Sequence, residues 1–112
     1  MKFEYSTNIA INVKDRDKAA DFYSRVLGME YIEEKQGDKV FGVGPLTFYV
    51  AEGQPGQTFF EFRVDSVSEA RMLLESEGCK VTHEYNEKSL MISDPYGMNF
   101  HIWEEGADFD NQ

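Results

Sequence analysis

An internal near-repeat is the feature that most constrains what this chain can fold into. Residues Asn8 to Val13 alternate like a half-buried strand, with Ile9, Ile11 and Val13 on one side and Asn8, Ala10 and Asn12 on the other. Asp15 then opens a segment in which Ala19, Phe22, Tyr23, Val26 and Leu27 recur at helical spacing, and Gly28 closes it. The order recurs later: Thr58 to Val64 forms a strand, Ser66 and Glu69 a capping box, Val67, Ala70, Leu73 and Leu74 an apolar stripe, and Gly78 the stop. The two glycines fall at equal distances from Asp15 and Asp65. Three extended runs follow each helix, at 29–34, 39–43 and 46–51 in one copy and at 80–85, 89–93 and 99–104 in the other. Each copy reads βαβββ, so the expected fold is α+β with two tandem modules and a cleft.

A chain of 112 residues makes one domain, 1–112, here with modules at about 1–52 and 57–105 and an acidic tail over 106–112. The breaker stretch Gly53-Gln54-Pro55-Gly56 is the inter-module connection. No apolar run is long enough to span a bilayer and no signal-peptide pattern opens the chain, so a cytoplasmic protein without membrane contact is expected. The formal net charge of −10 opposes binding to phosphate backbones, whose affinity rests on Lys and Arg, so nucleic acid is not an expected partner. The same field attracts cationic small molecules, although it also serves solubility alone. The single cysteine, Cys79, excludes an intramolecular disulfide and reads as a small buried filler beside Gly78.

The chain resembles the vicinal oxygen chelate superfamily, which includes glyoxalase I, extradiol dioxygenases, fosfomycin-resistance enzymes and bleomycin-resistance binding proteins. The resemblance spans nearly the whole chain. It is carried by Asn8-Ile9-Ala10-Ile11-Asn12-Val13-Lys14-Asp15 with Phe22-Tyr23 and Val26-Leu27-Gly28, by Phe59-Phe60-Glu61-Phe62-Arg63-Val64-Asp65, and by Asp94-Pro95-Tyr96-Gly97 before a final strand. It implies curved mixed sheets with helices outside and a concave cleft, in which family enzymes hold a divalent metal with His, Gln or Glu. The matching positions here are Asn8, Phe48, Phe59 and His101, and only His101 is a common transition-metal ligand. A phenyl ring offers no lone pair, so neither a metal nor another cofactor is expected.

Strand parity places Asn8, Ala10, Asn12, Phe59, Glu61, Arg63, Asn99, His101 and Trp103 toward the cleft, and Phe60, Phe62, Val64, Phe100 and Ile102 toward the helices. The expected ligand-binding set is Asn8, Asn12, Phe48, Phe59, Glu61, His101 and Trp103, with no catalytic residue assigned. Each has a structural alternative. The phenylalanines can fill a degenerate pocket, Glu61 and Arg63 can pair with each other, and His101 can be structural. His83 reads as a surface residue, and Met91 as packing or a pocket wall. The leading functional reading is a metal-independent binder of a planar or cationic small molecule, acting by sequestration. The alternatives are a lyase, isomerase or dioxygenase-like enzyme using Glu61 and His101 or an unconventional metal site, and an interaction or regulatory domain with a filled cleft. The resemblance also implies a homodimer, in which sites can be shared between subunits.

Overall fold

A computed structural model of the chain describes residues 1–107; most of the acidic tail expected over 106–112 lies outside the described residues. The described chain is α+β, with two helices and nine strands, eight of which fall in two βαβββ modules. They form two compact units: Thr7–Thr58, and Met1–Ser6 together with the chain from Phe59 onward.

In the first unit, β2 (Asn8–Val13) leads into α1 (Arg16–Arg25), then β3 (Glu30–Lys35), β4 (Asp38–Val43) and β5 (Leu46–Glu52). The sheet order is β3-β4-β5-β2, with β2 parallel to β5 and the other pairs antiparallel. The helix begins where Asp15, in extended conformation, accepts a hydrogen bond from the Lys18 N–H at 3.0 Å. That bond satisfies one of the orphan donors of the first turn. Alanines and aromatics on the inner face of α1 meet the sheet: Ala20 packs with Phe41 and Val50, and Tyr23 sets its ring edge-on to Phe41 and Phe48. Gln36 and Gly37 both take positive φ, 52° and 87°, as a tight hairpin turn between β3 and β4 requires.

The second unit repeats the plan with β6 (Thr58–Val64), α2 (Val67–Ser76), β7 (Lys80–Asn86), β8 (Ser89–Ser93) and β9 (Asn99–Trp103). Strands β6-β9-β8-β7 lie in that order, β6 and β9 being parallel. The Ser66 Oγ accepts from the Glu69 N–H at 3.2 Å, as the capping pattern predicts. Under α2 lies the larger core, in which Val67, Ala70, Leu90, Ile92 and Ile102 are each at most 1% exposed. Gly78, at φ 94°, ends the helix in a conformation that a side chain would strain. One element was not expected: β1 (Phe3–Tyr5) pairs antiparallel with β6. The first module is expected over about 1–52, whereas Met1–Ser6 belongs to the second unit. There Phe3 and Tyr5 meet the Phe62 ring edge-on.

Candidate functional site

The second unit builds one sheet face free of its helix. Along β6 the residues Phe60 and Phe62 pack on the α2-side core, so Phe59, Glu61 and Arg63 project from the opposite face. In β9 the core takes Phe100 and Ile102 and leaves Asn99, His101 and Trp103; in β8 it takes Leu90 and Ile92 and leaves Ser89, Met91 and Ser93. Register stacks these into rows: Phe59–Asn99–Ser93, Glu61–His101–Met91 and Arg63–Trp103–Ser89. His83 extends the middle row on β7. Four residues expected in the ligand site, Phe59, Glu61, His101 and Trp103, therefore share this face.

His101 is its centre. Its Nδ1 lies 3.2 Å from Glu61 Oε2, directly across on β6, and its Nε2 lies 2.6 Å from Ser89 Oγ, diagonally across on β8. The imidazole thus bridges its neighbours on both sides. The His101 and Glu61 side chains are only 12% and 19% exposed, and Ser89 is fully buried, so these bonds form where water competes weakly. The Tyr85 ring meets His101 edge-on at 5.8 Å, and His83 in turn meets Tyr85 at 4.4 Å. At the far row, the Arg63 guanidinium lies 5.8 Å from the Trp103 ring, bonds Glu105 at 2.7 Å and approaches Glu4 at 3.8 Å. Glu61 is therefore paired with His101, and the mutual Glu61–Arg63 ion pair allowed by parity gives way to these partners.

The other expected site residues lie in the first unit. Asn8 stands opposite Thr47 and is half-buried. The Asn12 amide donates to Gln57 Oε1 at 3.1 Å, and its backbone N–H donates to the Gln57 carbonyl at 2.9 Å. A Cβ built on Gly53 would come within 2.8 Å of Asn12 Nδ2, so Asn12 is packed into the Gly53–Gln57 connection. Phe48 requires a correction. It packs on the helix-side core with Tyr23 and Val50, and the residue of β5 on the opposite face, in register with Ala10, is Tyr49. A one-residue slip of parity moves a side chain through the sheet.

These residues do not fit the metal of the resembling enzymes. His101 has both ring nitrogens in hydrogen bonds, Phe59 has no donor atom, and Phe48 is on the wrong face. Among the described residues no group of three His, Cys, Asp or Glu is arranged to hold a metal ion. Cys79 packs against the second core, and burial, with the Asp94 and Glu77 carboxylates adding to it, pushes its thiol up from the ordinary range.

Sequence reasoning missed Ser89 and Tyr85. The signal for Ser89 was present in the alternation Ser89-Leu90-Met91-Ile92-Ser93, in which two small polar residues flank a methionine on the non-core side. What alternation could not give was the diagonal offset that brings Ser89 to His101. Tyr85 lies where register shifts between Glu84 and Asn86, so period-two counting fails there.

The fold and this face can be set beside known proteins. No curated protein matches the sequence. A superfamily member from Vibrio splendidus 12B01, described as glyoxalase/bleomycin resistance protein/dioxygenase, superposes with TM-score 0.62 at 13% identity, over 92% of this chain and 98% of that one. A hypothetical protein from Bacillus halodurans C-125 gives TM-score 0.60 at 14% identity, over 96% of both chains. The homoprotocatechuate 2,3-dioxygenase of Arthrobacter globiformis gives 0.65 at 21% identity, over 93% of this chain but 37% of its own. These likenesses are of fold. The profile of one sequence family, the Glyoxalase/Bleomycin resistance protein/Dioxygenase superfamily, matches residues 7–102, nearly the whole of both βαβββ modules. With two such modules in sequence and in structure, the chain belongs to that superfamily.

Proposed function

We propose that this protein is a metal-independent small-molecule binder whose ligand lies on the second unit's face, over Phe59, Glu61, His101 and Trp103. The observation that carries the reading is the state of His101: it is held by Glu61 and Ser89 within a face of aromatic rings, and a phenyl group stands where a metal would need a donor. Such a face recognises by stacking and by a few oriented polar groups. Glu61 and the formal charge of −10 favour a ligand that carries positive charge, and the aromatic side chains favour a planar one. Trp103 is the single tryptophan, so its emission reports on this face alone. Titration with planar aromatic cations is expected to quench it with a dissociation constant below millimolar, and Glu61→Gln to weaken a cationic ligand about tenfold, the loss of one charge-assisted contact. No quenching by any planar cation or neutral aromatic would overturn the reading.

One observation favours a second reading, proton transfer at a carbonyl compound: the Glu61–His101 contact could orient an imidazole for acid–base work. It requires Ser89 to release Nε2. Exchange of α-protons in small ketones, lost in His101→Ala, is the outcome that would move the assignment to an enzyme.

A further inference from the structure

We infer that Ser89 and Glu61 together lock His101 in its Nδ1–H tautomer, so that the imidazole meets a ligand with its ring and withholds both nitrogens from metal ions. An ionised carboxylate only accepts, so the proton in the 3.2 Å Glu61–His101 contact resides on Nδ1. The Nε2 of a neutral ring is then an acceptor, and the 2.6 Å contact is filled by the Ser89 hydroxyl donating to it. Each end of the chain fixes the other. Register explains why both bonds can form at once: Glu61 is the direct partner of His101 on β6, and Ser89 is one step along β8, beside Trp103.

Ser89 is accordingly a positioning residue. It cannot itself attack a substrate, because the serine is fully buried among the strands. Its hydroxyl occupies the lone pair that a histidine must offer to a metal, and it turns the one remaining family-type donor into part of a hydrogen-bond network. Loss of chelation in this chain therefore has two causes, the phenyl ring at Phe59 and the capture of His101. The inference concerns the proposed binding face and rests on that reading only for its consequence to ligands, since the tautomer is measured on the free protein.

The test is a long-range proton–nitrogen correlation spectrum of the 15N-labelled full chain at about pH 8, above the ordinary histidine range. There are two histidines, and a His83→Gln variant assigns them. His101 is expected to show a protonated, pyrrole-type Nδ1 and a pyridine-type Nε2 displaced by hydrogen bonding. Ser89→Ala should move Nε2 to the position of an unbonded pyridine-type nitrogen while Nδ1 stays protonated, and Glu61→Leu should transfer the proton to Nε2, which then donates to Ser89. One equivalent of zinc chloride should leave the His101 signals of the wild type unmoved. An Nε2–H ring or an imidazolium in the wild type, or a zinc-induced shift of His101, would overturn the inference; these measurements need no variant of the bonded residues. A locked tautomer with no ligand found would remove the binding reading and leave the inference standing.

Discussion

Asp38 opens β4 close to Arg16, and it carries a cost within the fold. Burial raises its carboxyl above the ordinary range, and the attraction of Arg16 recovers only part of that shift. The sign follows from linkage: a carboxyl whose folded pKa exceeds its unfolded one resists ionisation in the native state, so its contribution is favourable at low pH and is lost as pH rises through the folded value. Asp38→Asn keeps the shape and removes the ionisation. It should raise the thermal midpoint at about pH 7 and change it little near pH 3, below the unfolded value. Partial exposure keeps the gain well under about 1 kcal/mol. A lower midpoint at neutral pH would mean that the Arg16 attraction outweighs desolvation.

Among the elements, β9 depends on the turn that launches it. Asp94 Oδ1 accepts from the backbone N–H of Tyr96 at 2.9 Å and of Met98 at 2.8 Å, and its own N–H donates to the Met98 carbonyl at 3.0 Å. Gly97 supplies φ 103° between them. Asp94→Ala strips both side-chain bonds, and the half-buried Met98 N–H loses its acceptor, a cost of about 1–3 kcal/mol in urea unfolding. Asp94→Asn, which keeps the Oδ1 acceptor, should restore most of it; equal losses for Ala and Asn would show that the charge, and not the turn, matters. This turn was legible in sequence because Asp-Pro-Tyr-Gly is local chemistry, and so were both helices, whose caps at Asp15 and Ser66 and stops at Gly28 and Gly78 lie within a few residues of what they control. The strand β1 was not, since three residues carry no periodicity and its pairing partner is β6, far along the chain. Within the site, Phe59, Glu61, His101 and Trp103 were placed by counting in twos. Phe48 came from its match to the family pattern and not from that count, and only register against Ile9 and contact with Tyr23 fix the phase of β5. Ser89 needed the alignment of two strands, which no single strand encodes.

At the scale of the whole molecule, apolar surface and net charge pull association in opposite directions. Phe22, Val26, Leu27 and Tyr31, running from α1 into β3, are all between 46% and 58% exposed, although each is a large hydrophobic side chain. Exposed apolar side chains grouped in this way favour burial against a partner, and a second copy of the chain is the partner expected here. Opposing this, each chain brings a formal charge of −10, so two copies repel over a Debye length of about 8 Å at physiological salt. If the apolar term wins, light scattering at micromolar concentration will give about twice the 12.9 kDa chain mass, and added salt will tighten the dimer by screening its self-repulsion. Leu27→Asp, which places a charge among these side chains, should shift the mass to that of one chain while leaving α1 folded, since Leu27 is 58% exposed and follows the helix. A monomer at every salt concentration would show that this surface stays solvated and that any ligand site is complete within one chain. A dimer that weakens as salt rises would instead mean that ion pairs hold it, and that the acidic surface meets a basic one across the interface.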